Sequence, residues 1–432
     1  MENTNPAVTY NQVDATIPNA RWWHIIPATI LVYIVAFMDR TNIGIAIAGG
    51  MDKDLGITSS VAGAAAGIFF FGYLFLQIPG GHFAEKASAK KFIAWTIVFW
   101  GGLAMVSGFV QNTWQLMTVR FFLGVAEGGV YPAILALIGH WFPNKERARA
   151  IAFFQMNMAI AVIITSPISG WLIQNYDWRV MFIVEGLVSL ALLFIWLPLV
   201  ADHPKDAKWL SAQEREWIET ELRNDVEENK RNQGALSQGG YKALYRSLNL
   251  WRMVAIYFFM SAGFYGFSLW MPTLISELTK STMTVVGLLT AVPFIFTIIG
   301  QYIFARLCDA TMNRRLFTAL SFFGIAISLA LSVVLKENVW LSYGMLVCGG
   351  FFLNAWAGPY WSMPTLLFPA EALGGARGTI NAIGSLGGFC GPYLVGLISL
   401  YLGSKMGVLM LVVSLIIAAL LTLSLPKVTA NK

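Results

Sequence analysis

Twelve stretches of about 20 or more residues, nearly free of charge, recur along this 432-residue chain. Each is long enough for a helix to cross the ~30 Å hydrocarbon layer of a bilayer. They cover about 22–48, 61–83, 91–110, 114–140, 148–173 and 178–200, then 250–277, 284–308, 316–335, 340–367, 377–402 and 405–425. Lipid offers no hydrogen-bond partner to an exposed peptide group, so segments of this kind are helices. The chain is 57% hydrophobic and 12% charged, about half the charged share of a soluble domain, which is ~25%. The fold class expected is an all-α membrane protein, with twelve transmembrane helices in two six-helix bundles.

The two sets of six are related by an internal repeat. Gly81-His82-Phe83-Ala84-Glu85, ending in Lys90-Lys91, is echoed by Ala305-Arg306-Leu307-Cys308-Asp309, ending in Arg314-Arg315, with the acid and both bases in register. A second echo, Trp141-Phe142-Pro143 against Leu367-Phe368-Pro369, follows at nearly the same offset. Two similar membrane bundles point to a transporter, because a pathway between them can open to either side by rocking. Gly81, Glu85, Lys90, Lys91, Asp309, Arg314 and Arg315 are expected to form a gate motif on the cytoplasmic face. There an acid near a helix end and adjacent bases would lock neighbouring helices in one state.

The halves divide as 22–200 and 250–425, flanked by tails at 1–21 and 426–432 and joined at 201–249 by a charged amphipathic stretch, with Trp209, Leu210, Trp217, Ile218 and Leu222 among its charges, that is read as a solvated linker. With the amino terminus inside, the short loops on its side hold ten lysines and arginines, among them Lys86, Lys145, Arg149 and Arg377, against five on the other side. That excess places both termini in the cytoplasm of an inner-membrane, multi-pass protein. The first apolar run is too long for a cleaved leader and is read as a mature helix. A net charge of +6 is scattered over many loops and forms no nucleic-acid stripe. Cys308, Cys348 and Cys390 lack paired spacing, and the four histidines are dispersed, so no disulfide framework, metal or cofactor is expected. A monomer surrounded by lipid is anticipated.

Ionisable groups within the apolar segments are concentrated in the first half: Asp39, Arg40, Arg120, Glu127 and Glu185. A mid-membrane charge costs ~2.5–3.5 kcal/mol on insertion scales, so such residues imply function. Arg120 and Glu127, seven apart, share a helix face about 10 Å apart along the axis. Opposed helix directions bring Asp39 near the depth of Arg120, and an Asp39–Arg120 pair is expected. Arg40, rotated about 100° from Asp39, would face the cavity with Glu127 deeper in reach. Its planar fork suits a carboxylate ligand, and Glu127 would take a proton when Arg40 holds an anion. A static ion-pair network holding the first and fourth helices is the alternative. Glu185 is left open between helix end and mid-helix.

The loop after the second helix, through Gly81, Phe83, Glu85, Ser88, Lys90 and Lys91, resembles the signature of the major facilitator superfamily, with Phe, Glu and Ser in place of Leu, Asp and Gly. Four stretches resemble its anion:cation symporters, which carry sugar acids, tartrate, phthalate and related organic anions. They are Asp39-Arg40-Thr41-Asn42, Gln77-Ile78-Pro79-Gly80-Gly81, Trp141-Phe142-Pro143 with Glu146-Arg147-Ala148, and Leu386-Gly387-Gly388 near Pro392. The resemblance implies that Arg40 binds the anion and that Glu127 is protonated, with Asp39 and Arg120 in the coupling network. The glycine-rich fifth helix usual in drug antiporters is replaced by Ser166-Pro167-Ile168-Ser169-Gly170, which speaks against efflux of lipophilic cations.

Tyr73, Gln155, Tyr360, Trp361, Asn381 and Ser385 complete the candidate binding residues, with Trp356 beside them. The sugar-acid carriers have Tyr and Asn at the places of Tyr73 and Asn381. Gly358 and Met158 stand where those carriers have Ser and Gln, so a less hydroxylated anion is expected: a short dicarboxylate, an aromatic acid or a sulfonate. The function expected is import of an organic anion with protons. An uncoupled facilitator or exchanger and a carrier-derived membrane sensor are the competing readings. A membrane enzyme would need a cluster of acids, histidines or metal ligands at one face, and the sequence shows none; no Walker motif supports ATP-driven pumping.

Overall fold

The computed structural model describes residues 19–233, 244–368 and 370–426. The expected tails at 1–21 and 426–432 lie almost wholly outside the described residues. Eleven helical stretches are apolar and long enough to cross a membrane, and one of them, at 59–107, is two helices broken near Ser88. The twelve spanning helices are α1 (Ala20–Ala48), α2 (Ser59–Phe83), α3 (Ala89–Ser107), α4 (Thr113–Gly128, resuming as Val130–Trp141), α5 (Asn157–Asn175) and α6 (Trp178–Ala191 and Leu193–Leu199). The second half supplies α7 (Leu248–Thr279), α8 (Met283–Thr311), α9 (Arg314–Val334), α10 (Val339–Phe352, then Ala357–Ser362 and Pro364–Leu367), α11 (Ala370–Gly384 and Gly387–Leu402) and α12 (Ser404–Leu423). No strand occurs among the described residues.

The fifth apolar run is not one helix. Asn144–Phe154 forms its own helix, and α5 starts only at Asn157. The sequence Asn144-Lys145-Glu146-Arg147, just ahead of the run, is too polar for lipid, so the helix it opens starts at the membrane surface.

The two halves meet most closely at the face away from the described chain ends. There α2 packs on α11 and α5 on α8. A Cβ at Gly63 would strike the Pro392 carbonyl, one at Gly396 the Ser59 carbonyl, and one at Gly287 the Ser166 carbonyl. Helices this close are backbone against backbone, as small residues permit in lipid. The bundle is sealed at that face.

At the opposite face the repeated motif takes different forms in its two copies. In the first, Ala84–Ser88 is a π turn, and Ser88 is extended, which ends α2 and starts α3. Ser88 caps α3 by accepting from the Lys91 amide at 3.0 Å. Asp202 completes the cap: it accepts from Ser88 Oγ at 2.6 Å and from the Lys90 amide at 2.8 Å. A carboxylate there also suits the positive end of the helix dipole. Glu85, the acid expected to act, is exposed and makes no ion pair among the described residues; the acid at this helix end is Asp202, which follows α6. In the second copy Met312 turns the chain at φ +55°. Arg315 donates to the carbonyls of Leu423 and Leu425 at the end of α12, and Arg314 points at the Ser362 carbonyl of α10. Those bases satisfy helix-end carbonyls instead of an acid. Nothing is described of the Asp309 side chain.

The linker is not a solvated strand of charge. After a short turn at Pro204–Asp206 it forms a helix, Ala212–Gln233, whose Glu214, Trp217, Ile218 and Leu222 recur at helical spacing and form one face. Ile218 is fully buried against the first half, and Leu210 nearly so. Arg21, in the first turn of α1, reaches Glu214 at 2.7 Å and Glu146 at 2.9 Å, so one guanidinium ties α1, the linker helix and the surface helix Asn144–Phe154 together. Trp209 stacks on His24 and on Trp141. The high charge count hid a strap that clamps the first half. Residues 234–243 lie outside the described residues.

Two substitutions test these contacts. Asp202→Ala should lower stability by ~0.5–2 kcal/mol, the usual effect of losing an N-terminal cap. Gly287→Val should cost about 1–3 kcal/mol by overpacking against the Ser166 carbonyl. Both are read as a lower thermal midpoint of the purified protein.

Candidate substrate and proton site

The site is built where α1 crosses α2 and α4 in the middle of the first half. α2 and α4 run close enough that a Cβ at Gly128 would strike the Tyr73 carbonyl, and one at Gly124 the Phe69 carbonyl. That approach presses the rings of Phe69 and Tyr73 against the charged residues of α1 and α4.

Arg40 Nε donates to Glu127 Oε2 at 2.8 Å, and the two side chains are 4% and 0% exposed. Arg40 Nη1 reaches the Tyr33 hydroxyl at 3.3 Å. The guanidinium carbon lies 4.6 Å from the centre of the Tyr73 ring, 5.2 Å from that of Tyr33 and 5.5 Å from that of Phe69. Three aromatic faces stabilise the cation without neutralising it. Arg40 Nη2 and Glu127 Oε1 are buried and make no hydrogen bond. The pair thus keeps one donor and one acceptor in reserve.

Arg120 does not pair with the Asp39 carboxylate. Its Nη1 donates to the Asp39 main-chain carbonyl at 2.8 Å, and its Nε is left without a partner. Asp39 turns instead toward α6, where its Oδ2 accepts from Ser189 at 3.4 Å and its Oδ1 from Asn42 at 3.3 Å. Consecutive residues on a helix point about 100° apart; with Arg40 held by α4, Asp39 is carried round to α6. Glu185 proves to lie inside α6, buried; it accepts from Asn42 at 2.8 Å, and its Oε1 stands 2.5 Å from Ser169 Oγ.

The second half contributes a wall. Tyr265 of α7 packs its ring 4.4 Å from Phe70 of α2. Asn381 of α11 donates to Gln77 Oε1 of α2 at 3.2 Å, a hydrogen bond between the halves that leaves Gln77 Nε2 without one. Ser385 is buried one turn further along α11, and Trp361 packs edge-on to Tyr257 at 5.3 Å. Tyr360 is not available to a solute: it is fully buried and its hydroxyl donates to the Met253 carbonyl at 2.7 Å. Its neighbours Tyr257, Trp356 and Trp361 form an aromatic cluster that leaves the ring a packing role. Gln155 donates to the Tyr131 hydroxyl at 3.0 Å, at the break before α5.

Tyr33 and Tyr265 escape the sequence reading. Tyr33 precedes Arg40 by seven positions, two helical turns on the same face, and that spacing was the available signal. Tyr265 belongs to the other half, and nothing in the sequence places it against Phe70.

The comparisons with known proteins agree with this architecture. The chain is 33% identical over 427 residues to a protein of Agrobacterium vitis named "Putative tartrate transporter", covering 97% of this chain and 93% of the relative. It is 30% identical to a quinolone resistance transporter of Acinetobacter baumannii, with 88% of each covered. A bacterial homolog of the human lysosomal transporter Spinster shares the fold at a TM-score of 0.75 and 15% identity, over 94% of this chain and 97% of that one. Residues 29–392 and 275–432 match the model of the Major Facilitator Superfamily. With the buried intramembrane charges of the described residues gathered in one bundle, a helix pair from each half sealing one face, and this match over most of its length, the chain is a membrane transporter that belongs to the Major Facilitator Superfamily.

Proposed function

We propose that this transporter imports an organic anion together with protons by alternating access across the inner membrane, with both termini in the cytoplasm. The observation that carries the reading is the Arg40–Glu127 pair, dry and 2.8 Å apart, with Nη2 and Oε1 unused. A substrate carboxylate can take the guanidinium fork in bidentate fashion. Glu127, left without its cation in a medium that does not solvate a bare charge, then accepts a proton. A monoanion with one proton, or a dicarboxylate with two, adds no net charge, so the loaded site can change its exposure across lipid without moving a charge through it.

The wall chemistry favours a compact, sparsely hydroxylated anion. Tyr73, Phe69 and Tyr33 present ring faces, and Asn381, Gln77 and Ser385 supply the polar contacts. A short dicarboxylate fits this set, in keeping with the tartrate name of one relative. The quinolone name of the other supports a second reading, export of an aromatic carboxylate, which would engage the same guanidinium. The direction of the response to a pH gradient separates the two.

Tartrate uptake into proteoliposomes with an imposed pH gradient provides the test. Glu127→Gln should abolish the response to the gradient while tartrate counterflow persists; uptake still driven by the gradient in that variant overturns proton coupling at Glu127. Arg40→Lys should weaken tartrate binding by ~tenfold or more, since a charged hydrogen bond is worth about 1.5–3 kcal/mol. That loss is read as a reduced thermal shift by tartrate.

A further inference from the structure

Behind the Arg40–Glu127 pair, on the side of α1 that faces α5 and α6, lies a second group of buried polar residues. Asp39 and Glu185 are 0% and 2% exposed, and Asn42, at 2%, bridges them. Its Nδ2 stands 3.3 Å from Asp39 Oδ1 and 2.8 Å from Glu185 Oε2. Ser169 Oγ lies 2.5 Å from Glu185 Oε1 and 2.8 Å from the Thr165 carbonyl. Ser189 Oγ lies 3.4 Å from Asp39 Oδ2 and 3.0 Å from the Glu185 carbonyl.

With both acids ionised, the two hydrogens of Asn42 and one from each serine leave every carboxylate oxygen a single, uncharged donor. Asn42 Oδ1, also buried, has no partner at all. No cation among the described residues contacts either carboxyl: Arg120 of α4 is hydrogen-bonded to the Asp39 main chain, and Glu127, also of α4, adds a like charge. No titratable side chain of α5 faces Glu185, whose neighbours there are Ser169 and Thr165. Arg120 lies near enough to offset the charge of Asp39, whereas an ionised Glu185 would be buried with no counter-charge among the described residues. One proton on Glu185 removes that bare charge: its Oε1 hydroxyl donates to Ser169, which passes its own hydrogen to Thr165, while the Asn42 amide goes on serving Glu185 Oε2 and Asp39.

We propose that Asp39, Asn42 and Glu185 form a second proton-binding site, occupied in this conformation, separate from the Arg40–Glu127 pair and with Glu185 as the principal holder. Its part in transport rests on the proton-coupled reading above. Asp39 adjoins Arg40 in the chain, so a shift of α1 that moves the anion-binding guanidinium also moves one half of this site.

Infrared difference spectra of the purified full-length protein, recorded between mildly acidic and mildly alkaline pH, test the site without relying on transport. A protonated carboxylic acid has its own C=O stretching band, distinct from those of a carboxylate. Glu185→Gln should remove one such band and Glu127→Gln should leave it. Ser169→Ala, which keeps the carboxyl and removes its partner, should shift the band without deleting it. If Glu185→Gln and Ser169→Ala both leave every carboxylic-acid band of the unaltered protein in place, the proposal is overturned. Proton uptake on tartrate binding is measured alongside, and should be reduced in Glu185→Gln. If tartrate binding takes up no proton in any variant, symport is refuted, while the infrared band still decides whether the site exists.

Discussion

A charge cannot stand alone in hydrocarbon, and this requirement shapes the whole first half of the molecule. Arg40 needs Glu127, which lies on α4, so α1 and α4 must cross at that depth. Arg120, on the same helix as Glu127, then needs an acceptor and finds one in the α1 main chain. The rings of Phe69 and Tyr73 reach the guanidinium only because α2 and α4 run in near contact at Gly124 and Gly128. Removing one member of a buried ion pair typically costs ~3–5 kcal/mol, more than the pair itself contributes. The first half is therefore the electrostatically committed partner, and the second offers it aromatic and amide groups.

Much of this was legible in the residues. Long apolar runs fix helices because nothing else satisfies peptide groups in lipid, and the number and sense of the helices follow. The concentration of ionisable groups between Asp39 and Glu185 marked the half that holds the site, and helical spacing put Arg120 and Glu127 on one face. What escaped was the choice of partner. Spacing gives the direction in which a side chain leaves its helix but not which neighbour stands there; Asp39 therefore went to α6 when a pairing with Arg120 was expected. Tyr360 failed for a related reason: a phenol reads the same whether its hydroxyl faces a cavity or a helix carbonyl.

The linker and the repeated motif show a different limit. A dense run of Glu, Lys and Arg reads as solvated, yet Glu214, Trp217, Ile218 and Leu222 align on one face, and Glu214 is buried because Arg21 meets it. In the motif, the repeat correctly marked the ends of α2 and α8 as special. The acid that holds the first of them, Asp202, lies more than a hundred residues from Ser88 and Lys90, beyond the reach of any local pattern.

The closed face carries one more implication. It is made of glycines lying on carbonyls, at Gly63, Gly287 and Gly396, and no ion pair among the described residues crosses it. Parting such surfaces sacrifices dispersion, each atomic contact being worth only ~0.1–0.2 kcal/mol, and the bond from the Thr284 amide to Gln174 Oε1 at 2.9 Å, but strands no ion. On the proposed alternating-access reading a latch of this sort is graded: widening any one of its glycines should retune how long the carrier dwells in each orientation, leaving the chemistry of the vestibule untouched.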